Sequence, residues 1–289
     1  MFNRSVVMLA SNDSLKRDYD LNFPKYWNKV FSEYKKREYD NRVWFVGPTS
    51  YVFSLSGVRF AVDLQVRRAC DFEKISAGLS KDTSELLFVL ITHQHDDHMC
   101  ISLMRALKDM PIVWYIPKGT HEHLIGMTEL PEEKIVRVSS GDTFKIGDIS
   151  VKAFESTHER PGEKPVFLQL GYEIESPKGR LLLPADVRNY DNSLYPDFSE
   201  TDICFSHLWA GDDAVNAEKY MPRLEAFAEF YSRFGAKKYF LCHLYEIARD
   251  FGHMWRYSHA GLAMELFLEK SPTSEVLIPH LGSSYALFE

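Results

Sequence analysis

Several things are scarce in this chain of 289 residues. It has four cysteines, at 70, 100, 204 and 242, and no Cys-x-x-Cys pair. That excludes a disulfide framework and suits a reducing compartment. It has no long apolar run. The longest purely aliphatic or aromatic stretch, 86–91, is six residues, against about 18 for a spanning helix. The first apolar run, 6–10, is too short for a signal-peptide core. There is no glycine-rich phosphate loop, no fixed-period repeat and no Pro/Gly/Ser-rich linker. Basic runs are missing too. The formal charge is −7, which disfavours long-range attraction to nucleic acid or anionic membrane. A cytoplasmic protein without a membrane span is expected.

What is abundant points elsewhere. Forty aromatic residues, 20 Phe, 15 Tyr and 5 Trp, exclude a disordered chain. Residues 1–41 read as a helical extension, with a helix starting at Pro24. Tyr26, Trp27, Val30, Phe31 and Tyr34 share one face of it. The helix is expected to pack on the core, with a lid or a homo-oligomer contact as the alternative. Strands are predicted at 43–46, 50–55, 58–63, 86–92, 112–116, 135–138, 149–154, 166–174, 180–184, 203–207, 238–243, 276–278 and 285–288. Helices are predicted at 98–107, 221–234 and 259–268. Strands and helices in both halves imply an α/β chain, with helices covering sheets in one domain over 42–289.

Of 11 histidines, three fall within the run His93-Gln94-His95-Asp96-Asp97-His98. His93 and His95 are two apart just past a buried strand, so both imidazoles face one side. Asp97 and His98 follow at a turn, where the chain offers ligands from a second direction. Imidazoles with carboxylates suit zinc, iron or manganese better than calcium.

His-x-His-x-Asp-His at a strand end resembles the metallo-β-lactamase superfamily. Further positions continue the resemblance: Asp63, His158, Asp186 and His243, each ending or following an apolar strand. It covers 42–289 and implies a four-layer αββα sandwich of α/β (α+β) class. It implies two divalent transition-metal ions, zinc first, with manganese or iron as alternatives. His93, His95 and His158 would hold one ion. Asp97, His98 and His243 would hold the other, and Asp186 would bridge them through its two oxygens. Asp63 would support the ligands by hydrogen bonds. Asp97 and His207 are the expected catalytic residues, Asp97 through its metal. A hydroxide between the ions would be the nucleophile. With Asp97, Asp186 and that hydroxide, the site sums to about +1, which admits a small anionic substrate.

The segments 47–52 and 184–186 resemble the hydrolase branch that includes the ascorbate-6-phosphate lactonase and the N-acyl-phosphatidylethanolamine phospholipase D. A small ester, lactone or phosphodiester is the implied substrate. The alternatives are a nuclease of the tRNA-processing type and a di-iron redox or sensor protein in the same fold. His207 departs from the small residues usual there, and is expected to contact substrate or donate a proton. Trp209, Arg188 and His253 are further expected substrate contacts. Arg160, Lys164, Tyr190, Tyr245, Trp255 and Tyr257 are weaker ones.

Overall fold

The structure, a computed structural model, describes residues 12–36, 38–198, 200–246 and 249–288. Its strands are β1 (Arg42–Phe45), β2 (Tyr51–Leu55), β3 (Val58–Val62), β4 (Phe88–Leu90), β5 (Val113–Pro117), β6 (Ile135–Val138) and β7 (Thr143–Ile146), then β8 (Ile149–Glu155), β9 (Leu170–Ser176), β10 (Gly179–Leu183), β11 (Ile203–His207), β12 (Lys238–Cys242), β13 (Glu275–Leu277) and β14 (Ser284–Ala286). The helices are α1 (Asn12–Tyr34), α2 (Ala69–Ile75), α3 (Leu79–Asp82), α4 (Ile101–Ala106), α5 (Glu122–Thr128), α6 (Ala217–Ser232) and α7 (Tyr257–Lys270).

Two seven-stranded sheets result, ordered β14-β1-β2-β3-β4-β5-β6 and β13-β12-β11-β10-β9-β8-β7. Each is antiparallel on one side and parallel on the other. The period-two pattern divides their side chains between layers. In β1, Val43 and Phe45 enter the core between the sheets, while Trp44 faces the helices. In β12, Phe240 and Cys242 point inward, and Tyr239 and Leu241 outward. Helices α1 to α5 cover the first sheet, and α6 and α7 the second. This is the expected αββα sandwich with an N-terminal helix.

The expected apolar face of the N-terminal helix packs on the core. Trp27, Val30, Phe31 and Tyr34 are buried with Trp44, Val52 and Ala61 of the first sheet, while Tyr26 is half-buried. The helix starts earlier than predicted and runs through Pro24. A proline inside a helix deprives the carbonyl four residues back of its donor. Here that carbonyl is Asp20, and Arg68 Nη2 donates to it. Arg67 Nε also binds Asp20 Oδ1 at 2.6 Å. The part of the extension before residue 12 lies outside the described residues.

Two other differences shape the site. The strand expected at 86–92 pairs only over Phe88–Leu90, and the helix expected from 98 begins at Ile101. Residues between them form a tight turn instead, in which His98 N–H and Met99 N–H both donate to the His95 carbonyl. Strand β7 is absent from the sequence pattern, because its residues are exposed and half-exposed in alternation and carry little apolar signal. Among the described residues, no helix is long and apolar enough to cross a membrane.

Candidate metal centre

The strands of both sheets end at one edge, and their ends carry the site. Asp63 follows β3, His158 follows β8, Asp186 follows β10, and His243 follows β12. Three sharp turns aim these side chains. Asp63, Ala185 and His243 have φ of 48°, 62° and 64°. This left-handed region costs a non-glycine residue about 1–2 kcal/mol, so something must hold it. Asp63 N–H donates to Leu90 O at 2.9 Å, Val187 N–H to Ala185 O at 3.0 Å, and His243 N–H to Pro48 O at 2.9 Å.

The seven expected ligands come together as two groups, His93, His95 and His158 in one, and Asp97, His98, Asp186 and His243 in the other. Within each group the ligand atoms lie within 4.8 Å of one another. His93 Nε2 is 3.1 Å from His95 Nδ1. His98 Nε2 is 3.6 Å from Asp97 Oδ2 and 3.4 Å from Asp186 Oδ2. His243 Nε2 is 3.5 Å from each of the same two oxygens. Ligands 2.0–2.1 Å from a tetrahedral ion sit about 3.3–3.4 Å apart, so these spacings are those of a coordination shell. The nitrogens are also unclaimed: Nε2 of His98, His158 and His243 is buried without a hydrogen-bond partner. Three orphaned ring nitrogens in one small volume are costly in protein alone. The donor set fits divalent transition metals.

A second layer orients these ligands. Asp63 Oδ2 accepts from His98 Nδ1 at 2.7 Å, and its Oδ1 accepts from Thr92 N–H at 2.8 Å. With Nδ1 carrying the proton, His98 presents Nε2 as a lone pair. His243 Nδ1 faces the Leu208 carbonyl at 3.4 Å to the same effect. Gln65 Nε2 and Thr49 Oγ1 donate to the Asp97 carbonyl. Gln169 Nε2 donates to the Asp186 carbonyl at 3.0 Å.

His207 belongs to this layer, which differs from the expectation of a substrate contact or proton donor. Its Nδ1 donates to Asp186 Oδ1 at 2.7 Å, and its Nε2 accepts from Tyr51 O–H at 2.7 Å. Both nitrogens are engaged and the residue is buried. The same bond orients Asp186: its Oδ1 accepts from His207, and its Oδ2 faces His98 and His243.

A family model described as the Beta-lactamase superfamily domain matches residues 69–244, more than half of the chain. The chain belongs to this superfamily. No curated protein matches it in sequence. Its fold is similar to that of CmlA, a diiron beta-hydroxylase from Streptomyces venezuelae, at 16% identity and a TM-score of 0.63. That match covers 86% of this chain and 54% of the other, so the chain spans about half the hydroxylase's length. The metallo-beta-lactamase fold protein YhfI from Bacillus subtilis is similar at 16% identity and a TM-score of 0.56, over 84% of this chain and 98% of that one. Zinc-bound PqqB from Methylobacterium extorquens follows at 15% identity and 0.53, over 82% and 86%. At such identities the likeness shows the metallo-β-lactamase fold alone.

The two ligand groups of this superfamily member differ in charge. Burial holds the His93 and His95 imidazoles below their usual range and takes His158 down to about 3. The first group is thus neutral. In the second group burial opposes charge, but Asp186 and Asp97 prevail and raise His98 and His243. Burial likewise opposes charge on Asp186, and His243, His98 and His207 hold it ionised. A metal entering there displaces protons from imidazoles.

The remaining expected residues separate. Arg188 reaches the site: it lines a cavity of about 440 Å³ over the ligands, with His95, Asp97 and Asp186. Trp209 does not line that cavity. It is buried beneath Arg223, whose guanidinium lies 4.6 Å from the ring centroid. It borders a second cavity of about 540 Å³ that shares Arg188 as a wall, with Tyr190 alongside. His253 lies on an exposed turn, bonded to Asp250 at 2.7 Å, and lines neither cavity. Arg160 pairs with Asp212, and Lys164 is exposed. Tyr245, Trp255 and Tyr257 are core residues.

Three residues near the ligands had no sequence signal. The Phe167 ring packs against His93, His95 and His158, with centroids 5.4, 4.7 and 5.0 Å away. Glu246 and Arg249 line the cavity mouth as an ion pair. The Glu246 position, three residues past His243 in a loop, could have been found only by asking which carboxylates lie within reach of a known ligand.

Proposed function

We propose that this protein is a metal-dependent hydrolase that binds two divalent ions and cleaves a small anionic ester, lactone or phosphodiester. One observation carries the reading: seven donors in two adjoining groups, three of them buried imidazole nitrogens with no other partner. When bound, two such ions lower the pKa of a water held between them toward neutrality and polarise the bond to be broken. The chain's own residues do the rest. His207 and Tyr51 fix the Asp186 carboxylate. Phe167 covers the three-histidine group and limits water there.

Arg188 supplies a positive wall. Its Nε is buried without an acceptor among the described residues, and it stands between the ligand cavity and the second one. A substrate phosphate or carboxylate would satisfy that donor. The free thiols of Cys100, Cys204 and Cys242 suit a cytoplasmic location.

The test is a screen of lactones, phosphodiesters and thioesters with metal-reconstituted protein. Hydrolysis in one class, strengthened by an anionic group, is the expected result. Oxygen consumption with no hydrolysis in any class would instead favour a di-iron redox protein.

A further inference from the structure

Two arginines beside the metal centre lack a counter-ion. Arg188 and Arg223 both line the second cavity, of about 540 Å³, with Tyr190, Asp191, Trp209 and Lys219. Among the described residues neither guanidinium makes a hydrogen bond or an ion pair, and Arg188 Nε is buried. The neighbouring cations are paired: Arg160 with Asp212, and Lys219 Nζ with Asp213 at 3.0 Å. Asp191, the carboxylate on the wall, is engaged in its own turn, where Oδ1 accepts from Ser193 N–H at 2.9 Å and from Ser193 O–H at 2.7 Å. Arg223 is held in place by the fold. Its guanidinium lies over the Trp209 ring, 4.6 Å from the centroid, a contact that takes none of its N–H donors. Its stem crosses Gly211, where φ is 93°, and a Cβ there would lie 2.8 Å from Arg223 Nε and 2.9 Å from its Cδ. Gly211 leaves the space that the arginine fills.

We propose that Arg223, with Arg188, holds a non-reacting phosphate or carboxylate of the substrate. The substrate is then a two-ended molecule, with its anionic tail in the second cavity and its scissile bond over the ligands. The anion site stands on the arginines, while the scissile bond rests on the hydrolase reading above. The two cavities share Arg188 as a wall. None of the seven expected ligands lines the second one, so a group bound there is not the group held at the ions. The guanidinium fork matches the paired oxygens of a phosphate or carboxylate. Two unpaired guanidiniums against one carboxylate make this wall positive on a chain of formal charge −7. Such a local field draws an anion to the wall even though the whole chain repels it.

The experiment uses full-length protein in two states. Metal-free protein is titrated calorimetrically with inorganic phosphate and, separately, with acetate, so that no bound ion competes for either anion. The wild type should bind at least one of them, and the tighter names the tail. Arg223→Met keeps a stem over Trp209 and removes the charge, and should weaken that binding about tenfold or more. Gly211→Ala should give a similar loss by displacing Arg223, with thermal unfolding as the control for folding. The metal-loaded protein is then given the p-nitrophenyl monoester of glutarate and the p-nitrophenyl ester of valerate. The two are equal in chain length, and only the first ends in a carboxylate. The wild type should favour the glutarate ester through KM, and the preference should shrink about tenfold in Arg223→Met. Binding of neither anion by the wild type, or equal affinity in wild type and Arg223→Met, would overturn the anion site whatever the metals do. Turnover of neither ester, with Arg223-dependent anion binding intact, would count against the hydrolase reading and leave the anion site standing.

Discussion

His207 donates from Nδ1 to Asp186 Oδ1 at 2.7 Å, leaving Oδ2 of the same carboxylate toward His98 and His243. Tyr51, from the opposite sheet, closes the chain by donating to His207 Nε2. The arrangement fixes which oxygen of Asp186 faces His98 and His243. Replacing His207 by Ala should therefore weaken metal binding about 10–100-fold, measured by competition with a chromophoric chelator. If metal affinity is kept and only turnover falls, His207 acts on the substrate after all.

The ligand groups make a direct prediction about content. Protein purified without chelator should carry near two transition-metal ions per chain by elemental analysis. His95→Ala and Asp186→Ala should each abolish hydrolysis while circular dichroism stays that of the wild type. Undiminished turnover in either variant would refute the metal mechanism.

Arg188 should act on substrate affinity rather than on metal. Its guanidinium has no carboxylate partner among the described residues and lines both cavities. In Arg188→Ala, KM for an anionic substrate should rise about 10-fold or more, since charge-assisted bonds contribute about 1.5–3 kcal/mol. Metal content should not change. A similar rise for a neutral substrate would point to a packing role instead.

Acid should weaken the fold through His259, away from the metal centre. Its Nδ1 accepts from Arg256 N–H at 3.2 Å, and its Nε2 donates to Ala214 O at 2.9 Å. The first bond needs the neutral ring, because a protonated Nδ1 cannot accept. Burial, helped by the Arg256 charge, takes the imidazole down to about 4. An unfolded histidine titrates near 6.5. Below that pH the unfolded chain gains a proton that the fold refuses, so the contribution is present above about 6.5 and lost progressively toward about 4. Its size is at most about 3 kcal/mol, since each tenfold change in proton affinity corresponds to about 1.4 kcal/mol. His259→Gln should be less stable at pH 7 yet lose less between pH 6.5 and 4, as read by urea unfolding at each pH. Parallel curves for the two proteins would remove His259 as the cause.

Much of the site was legible because its chemistry is local. His93, His95, Asp97 and His98 lie within six residues, and a strand end followed by a tight turn is enough to make them converge. His158, Asp186 and His243 were legible only through resemblance, since each alone is a polar residue after an apolar strand. The apolar face of α1 was legible from its spacing. Its start was not, because the stretch before Pro24 is stabilised by Arg67 and Arg68 from beyond β3.

By itself, the sequence determined the alternation of strands and helices and the clustered donors His93, His95, Asp97 and His98, because period-two and helical patterns and a clustered motif are properties of neighbouring residues. Only the tertiary structure decided what stands behind the ligands. Tyr51 and His207 come from different sheets, Phe167 from the loop before β9, and Glu246 from the loop after β12. Which nitrogen of a histidine is free, and which oxygen of Asp186 faces the metal, depends on partners distant in the chain. A hydrogen bond is set by a separation of about 3 Å in space, and chain distance carries no trace of it.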